Sequence, residues 1–514
     1  MTMEADPASD PSAATTLPQL IHAAAAAYGD EIAIAHKGDP AREEALSFKE
    51  LDRQSSELAR GLIAHGAGKG TRIGFVFGNS PTFLLLMAAI ARIGAIAIPI
   101  STLIRSNELV RVLRQSDVSG LIVQRSFLGN DYVERLREAL PALREGKDPD
   151  LRILETPFLR WIASSGPDLP PTFRDVRFLN ELAPSVSEEL LRALEAEIHP
   201  TDQLVEIYTS GSMALPKGVK HNHGPLLFRT HYLRSMLNPQ RGKEIMVQLP
   251  LFWVGGLMMY IFPNWEAGAA SVCVDKTLSN SRVAMGSVMA AEDLELLTQA
   301  KPYWALGMSE TLGPYSYSDT MRARGFPLCA PLDHIADRFE VRVVDENGQS
   351  VPDGQTGEIQ VRGYALTPGL HKIERDVYFT PDGFYHTGDM GLVEGSRINF
   401  VGRNGDMIKT AGANVSPAEV EMEMQSLEGV HSAYVLGIPD RERGQLVVAA
   451  VVPREGVTLD FDRIQEQLRA RLSAYKVPRA YLAMAREQVP LLHSNKVARR
   501  QLAVMLAKHF ERGK

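Results

Sequence analysis

A polar stretch between two apolar segments has the groups needed to bind a chain of phosphates. It follows Ile207 and carries hydroxyl groups, a glycine and a lysine: Thr209, Ser210, Gly211, Ser212 and Lys217. Uncovered backbone N–H groups and hydroxyl donors hydrogen-bond an anion, and the lysine adds a positive charge. The stretch is not a Walker loop, because Gly218 rather than Ser or Thr follows the lysine. We predict a polyphosphate site here, although the stretch by itself also fits a solvated turn.

Further clusters downstream carry carboxylates and cations beside glycines or turns. In chain order they are Leu306-Gly-Met-Ser309-Glu310, Tyr385-His-Thr-Gly-Asp389, Gly402-Arg403 through Lys409, and Pro490 through Lys496. Taken singly, Asp389 fits a turn, Glu310 a helix cap or surface carboxylate, and Lys496 a solvated side chain. Their occurrence together with the phosphate stretch favours one shared site.

Composition excludes several classes of protein. The chain has 514 residues, ordinary hydrophobic content of 45% and a net charge of −7. No basic stripe is available for nucleic acid, so we expect no nucleic-acid partner. Two cysteines cannot form a disulfide framework, and the acidic N-terminus is unlike a secretory signal. These features predict a cytoplasmic protein, and no His or Cys spacing indicates a structural metal.

The elements that must position these groups alternate between helices and short β-branched strands. The predicted helices are 17–28, 47–65, 81–93 and 107–115, and the predicted strands are 72–77, 95–100 and 120–123. Such alternation indicates a parallel sheet with helices on both faces. The apolar run 83–100 is predicted to be a buried helix leading into a strand rather than a membrane span. Residues 140–185 lack periodicity and are predicted to form a long surface excursion.

The clusters, in this order, resemble those of the acyl-adenylate-forming superfamily: acyl-CoA synthetases, peptide-synthetase adenylation domains and luciferase. The resemblance extends from about Leu17 to Leu506 and is closest to fatty-acid or aromatic-acid CoA ligases. It implies an α/β fold, with a large N-terminal domain of doubly wound α/β subdomains and a small mobile α+β C-terminal domain. The corresponding boundaries are 1–16 for a disordered lead-in, 17–402 for the N-terminal domain, 403–406 for a hinge and 407–514 for the C-terminal domain.

The resemblance also implies a role for each cluster. The phosphate stretch (Thr209, Ser210, Gly211, Ser212, Lys217) would bind the β- and γ-phosphates of ATP. Glu310 would hold Mg²⁺ and Ser309 would donate to phosphate, while Asp389 and Arg403 would bind and support the ribose. Gly286 would open a loop beside adenine, with Leu306 contacting the base. Lys496 would bridge the substrate carboxylate and the α-phosphate.

Several residues depart from the family pattern. Met213 and Ala214 replace a threonine and a glycine of the phosphate loop, and Trp253 replaces a histidine beside the acyl tunnel. Asn495 stands where a glycine precedes the catalytic lysine. The segment from Gly256 to Gly286 is shorter than the family's, which removes part of the acyl-pocket wall.

The resulting interpretation is an ATP-dependent, AMP-forming acid–CoA ligase that acts on an apolar (fatty or aromatic) carboxylic acid. Its expected substrates and cofactors are ATP, Mg²⁺ and CoA, and a homodimer is possible. Two alternatives stay open: a degenerate member that binds nucleotide or acyl-AMP without turnover, and an adenylation enzyme that loads a separate carrier protein. The sequence identifies neither the acid nor the acceptor.

Overall fold

A computed structural model describes most of the chain. The described residues are 10–37, 43–104, 106–209, 216–274, 304–318, 332, 334–395, 397–403, 408–410, 413–415, 417–440, 443–472, 476–491 and 497–511. They fold into two compact units. One comprises Met1–Gln299, Gly307–Pro314 and Gly363–Val377, and the other comprises Ala300–Leu306, Tyr315–Arg362 and Tyr378–Lys514. The hinge predicted at 403–406 and the domain boundaries beside it stay predictions.

Helices begin where the sequence supplies side-chain caps. Ser47 Oγ accepts a hydrogen bond from Glu50 N at 3.1 Å, and Ser80 Oγ accepts one from Phe83 N at 3.3 Å. Each bond satisfies a backbone donor that has no partner within the helix. The helices are α1 Leu17–Tyr28, α2 Phe48–Ala64, α3 Pro81–Arg92, α4 Ser106–Ser116, α5 Tyr132–Ala139, α6 Ala142–Glu145, α7 Phe178–Leu182, α8 Glu188–Ala196, α9 His223–Leu237, α10 Val254–Tyr260, α11 Phe262–Ala267, α12 Pro417–Gln425, α13 Phe461–Arg469 and α14 Arg499–Glu511.

The strands form several separate sheets. They are β1 Ile32–His36, β2 Glu44–Ser47, β3 Arg72–Val76, β4 Ile96–Pro99, β5 Gly120–Val123, β6 Ser126–Phe127, β7 Asn130–Asp131, β8 Trp161–Ser164, β9 Arg174–Asp175, β10 Gln203–Thr209, β11 Lys217–Asn222, β12 Glu244–Met246, β13 Ala270–Cys273, β14 Trp304–Met308, β15 Gly313–Ser318, β16 His334–Ile335, β17 Phe339–Val344, β18 Thr356–Gly363, β19 Tyr385–Glu394, β20 Arg397–Arg403, β21 Ile408–Thr410, β22 Ala413–Val415, β23 Val430–Asp440, β24 Gly444–Pro453 and β25 Ala480–Ala483.

The largest sheet of the first unit has the strand order β11-β10-β4-β3-β5-β8-β9. Its strands from β10 to β9 are parallel, and β11 returns antiparallel to β10. Strands β4, β5 and β8 are buried along their whole lengths, as expected for a parallel sheet covered by helices. A second sheet has the order β12-β13-β1-β2. The predicted doubly wound α/β core is therefore confirmed.

Two local predictions need correction. Residues 140–185 contain β8, which pairs in parallel with β5 inside the sheet, so this segment is partly core. The strand is only four residues long and lies between polar stretches, so no alternation of apolar and polar residues indicated it. The expected disorder also does not extend over residues 10–16. There Asp10 Oδ1 accepts a hydrogen bond from Ser12 N at 2.9 Å, and Thr16 is buried.

The apolar run 83–100 folds as predicted, into helix α3 followed by strand β4. Most of α3 is buried, and every residue of β4 is. Among the residues that the structure describes, no helix is both long enough and apolar enough to cross a membrane.

In the second unit, alternating residues of β23 and β24 form two small cores on opposite faces of one sheet. Ala433 and Val435 pack on one face with α12 and α13, whereas Leu436 and Ile438 pack on the other face with α14. Because side chains alternate along a strand, one sheet can hold helices on both faces. Arg499 of α14 donates hydrogen bonds to Glu421 of α12 at 2.6 Å and 2.8 Å, which connects the two helices.

An ion-pair cluster connects four helices of the first unit. His22 of α1 lies 3.1 Å from Asp52 Oδ1 and 2.9 Å from Glu195 Oε2. Arg92 contacts the same carboxylates, at 2.8 Å and 2.5 Å. Hydrogen bonds that the His22 ring donates to Asp52 and Glu195 raise the pKa of His22 to about 9. The imidazole is therefore protonated at neutral pH and bridges two carboxylates.

We predict that the ion pairs of His22 make a pH-dependent contribution to the free energy of unfolding. Because the folded-state pKa of His22 lies above the usual 6.5, the contribution is fully present below pH 6.5 and is lost as pH rises through about 9. His22→Gln should lower the unfolding temperature by about 2 °C at pH 6, since a partly exposed pair contributes only about 1 kcal/mol. The deficit should disappear near pH 10. His199→Gln, at an exposed histidine, is the control, and a deficit for His22→Gln that does not change with pH would contradict the assignment.

Candidate active site

The two ends of the predicted phosphate loop are held together by an antiparallel strand pair. In the register of β10 and β11, Thr209 lies opposite Lys217, and Tyr208 lies opposite Gly218. The loop residues Ser210, Gly211 and Ser212, with Met213 and Ala214, lie outside the described residues. Lys217 is half-buried at the first position of β11. The hairpin therefore sets where the loop leaves and rejoins the sheet.

A buried carboxylate on β10 packs against Gly218 of the paired strand. Glu206 is fully buried, pairs with the Arg72 guanidinium and accepts a hydrogen bond from Tyr208 Oη at 2.7 Å. A Cβ on Gly218 would lie 2.5 Å from Glu206 Oε1 and 2.9 Å from Tyr208 Oη. Only glycine lets both side chains approach the backbone beside Lys217. Burial, followed by the charge of Glu206, raises the pKa of the Tyr208 phenol, which therefore stays protonated and donates.

The predicted metal carboxylate lies on a tight turn. Ser309–Thr311 form a 3-10 turn after β14, and Glu310 is only 8% exposed. Thr311 Oγ1 donates to Gly313 O at 2.6 Å, which closes the turn. Gly307 permits the tight approach, because a Cβ there would lie 2.3 Å from Gly313 O. The local chain therefore gives Ser309 and Glu310 a defined backbone position.

Two contacts bring the Lys217 strand and the Glu310 turn together within the first unit. The ring of His221, on β11, hydrogen-bonds the main chain of Ser309, and burial lowers the His221 pKa to about 3. The ring is therefore neutral at neutral pH. Thr367 N donates to Glu310 O at 2.7 Å, and Thr367 Oγ1 donates to Lys220 O at 2.8 Å. The structure thus brings together two of the predicted clusters, which lie about ninety residues apart in the sequence.

The predicted ribose-binding pair is assembled in the second unit. Asp389 and Arg403 are opposite residues on β19 and β20, and Arg403 Nε donates to Asp389 Oδ1 at 2.9 Å. Asp389 is 3% exposed. Its turn is braced by Glu358, whose Oε1 accepts a hydrogen bond from Gly388 N at 3.2 Å. The sequence placed these two residues in separate clusters, and strand pairing makes them neighbours.

The stretch of chain just before Trp253 is held by one asparagine. Asn79 Nδ2 donates to Leu249 O at 3.0 Å, and Asn79 Oδ1 accepts from Leu251 N at 2.9 Å. Trp253 follows as the N-cap of α10 and is half-buried. Leu306 lies on β14 and is also half-buried. The contact of Leu306 with the adenine stays a prediction.

Some predicted positions lie outside the described residues. They are Gly286, Asn495 and Lys496, together with most of the shortened segment beyond Val274. Sequence reasoning also missed several residues that position the site: His221, Thr367, Glu206 and Glu358. Neither Thr367 nor Glu358 belongs to a chemical motif, and each acts through a partner distant in sequence. Among the described residues, no group of three or more His, Cys, Asp or Glu side chains could hold a metal ion.

The fold and the site define an α/β protein in which a lysine-bearing hairpin is held against a carboxylate turn. The family model for the AMP-binding enzyme matches residues 21–305, and the model for its C-terminal domain matches residues 419–496. The chain therefore belongs to the AMP-binding enzyme family, as the ordered clusters predicted.

Named relatives and a solved structure agree with this assignment. A feruloyl-CoA synthase of Amycolatopsis sp is 28% identical over 485 residues, covering 85% of this chain and 89% of the relative. An indoleacetate–CoA ligase of Aromatoleum aromaticum is 26% identical over 506 residues, covering 90% and 94%. The crystal structure of the anthranilate CoA ligase AuaEII with anthranoyl-AMP superimposes with a TM-score of 0.76 at 20% identity, covering 96% of this chain and 98% of that one. The structural match shows the fold.

Proposed function

We propose that this protein is an ATP-dependent acid–CoA ligase that acts through an acyl-adenylate. The observation that carries the proposal is the attachment of the Glu310 turn to the Lys217 strand through Thr367. Membership of the AMP-binding family and the activities for which its relatives are named support the same reaction class. A lysine suits the phosphates of a nucleoside triphosphate and a carboxylate suits its metal ion, and here both groups are held on one framework.

The reaction has two balanced steps. An oxygen of the substrate carboxylate attacks the α-phosphorus of ATP, the bond to the bridging oxygen breaks, and pyrophosphate leaves. The CoA sulfur then attacks the acyl carbonyl, the bond between the carbonyl carbon and the AMP oxygen breaks, and the thiol proton is released. Charge accumulates around the α-phosphorus in the first step, so positioned donors stabilise its transition state.

Each predicted residue takes a place in this scheme. Lys217 offsets charge on the β- and γ-phosphates, the loop hydroxyls donate hydrogen bonds to them, and Ser309 donates to a phosphate oxygen. Asp389 accepts hydrogen bonds from the ribose hydroxyls, because a carboxylate offers two oxygens, and Arg403 holds it in place. Lys496 supplies the cation at the α-phosphate. Leu306 and Gly286 contact the adenine.

Mg²⁺ suits the available donor set. This ion keeps several water ligands and binds through one or two carboxylates together with substrate phosphates. Glu310 offers one carboxylate on a buried, braced turn, so no dedicated protein cage is required. Bound there with ATP, the ion would neutralise phosphate charge.

The substrate is an apolar carboxylic acid, with an aromatic acid as the favoured type. Two relatives are named for ferulate and indoleacetate, both of which carry an aromatic ring. Phe252 and Trp253 lie just before α10, with ring centroids 5.6 Å apart, and the family resemblance puts position 253 beside the acyl tunnel. Apolar and aromatic side chains of this kind line most small-molecule sites. A cytoplasmic location and a homodimer stay predictions of the sequence.

A single assay tests the function and its alternatives. Purified protein with ATP and Mg²⁺ is offered a panel of aromatic and fatty acids, and pyrophosphate release is followed with and without CoA. Acid-dependent release together with acyl-CoA formation is expected. Release without acyl-CoA would favour a carrier-protein acceptor. ATP binding without release on any acid would favour the degenerate alternative, which Met213, Leu306 and the shortened segment from Gly256 to Gly286 suggest.

A further inference from the structure

We propose that Thr367 is a positioning residue for ATP, because it sets the separation between the Lys217 strand and the Glu310 turn. The inference rests on the proposed function for the identity of the ligand. It adds a residue that belongs to none of the predicted chemical clusters and that would touch neither substrate nor metal ion.

Thr367 bonds in two directions from one buried position. Its backbone N–H donates to Glu310 O at 2.7 Å, while its hydroxyl lies 2.8 Å from both Lys220 O and Gly369 O. Gly369 N lies 3.3 Å from the same hydroxyl. The side chain is buried, since the residue is 1% exposed. One residue therefore connects the carboxylate turn to the third residue after Lys217.

The chain that follows Thr367 continues along the same strand. Leu370 forms an antiparallel bridge with Val219, and Lys220 N donates to Gly369 O at 3.4 Å. His371 N donates to Gly218 O at 2.8 Å. Residues 367–371 thus run beside β11 back to the residue next to Lys217. We name this stretch the bridging segment.

The bridging segment is also anchored through a side chain. The His371 ring lies 3.6 Å from Glu206 Oε2 and 3.3 Å from Asp117 Oδ2. Lys372 Nζ lies 2.6 Å from Asp117 Oδ1. With its far end fixed to the sheet, the segment can shift at Thr367 when that hydroxyl is lost. The displacement would then be passed to the Glu310 backbone.

Loss of the Thr367 hydroxyl would leave a buried carbonyl without its donor, which is destabilising. The bridging segment should therefore relax towards other partners. A small misplacement of catalytic groups is expensive, because their alignment supplies much of the rate. We therefore expect a change in ATP handling beyond any change in stability.

The test compares Thr367→Val with a matched control. Thr172 is likewise 1% exposed and donates its hydroxyl to a main-chain carbonyl, Leu143 O, at 3.0 Å. Thr172→Val should therefore show the stability effect alone. Calorimetric binding of ATP with Mg²⁺, the KM values for ATP and for the acid, and the unfolding temperature are measured for each variant.

Thr367→Val is expected to raise the Kd and KM for ATP about tenfold, as the loss of one buried hydrogen bond would. The KM for the acid should change less than twofold. Thr367→Ser should restore ATP binding fully, because it keeps the hydroxyl. Thr367→Cys should restore it in part, since a thiol is a weak donor. If Thr367→Val does not fold, Thr367→Cys against Thr172→Cys provides the comparison.

Two failures are distinguishable. If wild-type protein binds ATP but produces no acyl-CoA with any acid, the proposed function fails. The role of Thr367 is then still tested by comparing the Kd for ATP of the Thr367 and Thr172 variants. If Thr367→Val and Thr172→Val have the same Kd and KM for ATP, the positioning role is overturned whatever the activity. A Kd shift that serine does not restore would also overturn it.

Discussion

Glu310→Gln is expected to lower kcat/KM for ATP about a hundredfold. Glutamine keeps the shape of the side chain and removes its charge, so the turn closed by Thr311 and Gly313 should survive. A neutral amide is a poorer ligand for a hard cation than a carboxylate. The defect should therefore shrink as Mg²⁺ is raised well above the ATP concentration. Initial rates of pyrophosphate release over a Mg²⁺ series would measure it.

A second buried glutamate is the control for this variant. Glu266 is 2% exposed and contacts Arg234 at 3.0 Å and His231 at 2.9 Å. Glu266→Gln should lower the unfolding temperature and leave the KM for ATP and the Mg²⁺ dependence unchanged. If both variants lose activity equally, or if the Glu310→Gln defect is independent of Mg²⁺, Glu310 is not the metal carboxylate.

Lys496→Ala is expected to slow acyl-adenylate formation a hundredfold or more, since one positioned donor at a developing charge contributes about 3 kcal/mol. The predicted role of Lys496 is confined to the α-phosphate in the transition state, so ATP binding should be retained. Single-turnover formation of the adenylate, together with calorimetric ATP binding, separates the two effects. Unlike the Glu310→Gln defect, this loss should not respond to Mg²⁺.

Lys508 provides a matched lysine on the C-terminal helix. It is exposed near the end of α14, and Lys508→Ala should behave as wild type. An adenylation rate for Lys496→Ala within threefold of the Lys508→Ala rate would remove Lys496 from the mechanism. Equal loss of ATP binding and rate would instead indicate a role in the ground state.

Local sequence patterns were sufficient to predict many of the helices and strands of the first unit. The helix starts at Ser47 and Ser80 were predictable because a capping side chain bonds within its own turn. The strand Gly120–Val123 was predictable because fully buried parallel strands are continuously apolar. The strand Trp161–Ser164 was missed for the opposite reason: its place in the sheet depends on pairing with β5, some forty residues earlier.

The candidate site likewise contains residues that the sequence identified and contacts that only the fold creates. Asp389 and Arg403 could be identified from their clusters, but only the pairing of β19 with β20 brings Arg403 Nε within 2.9 Å of Asp389. Thr367 could not be identified, because its partners Glu310 and Lys220 lie 57 and 147 residues away. A threonine between a leucine and a proline carries no local signal of such bonds.

The sequence by itself determined the chemical groups of this protein, their order along the chain and, through that order, the family. These properties are covalent or local, so they can be recognised without coordinates. The tertiary structure decided which groups meet. The Glu310 turn meets the Lys217 strand, and the backbone of Gly218 meets the side chains of Glu206 and Tyr208. Those contacts form only when distant segments pack, because a hydrogen bond depends on separation in space and not in sequence.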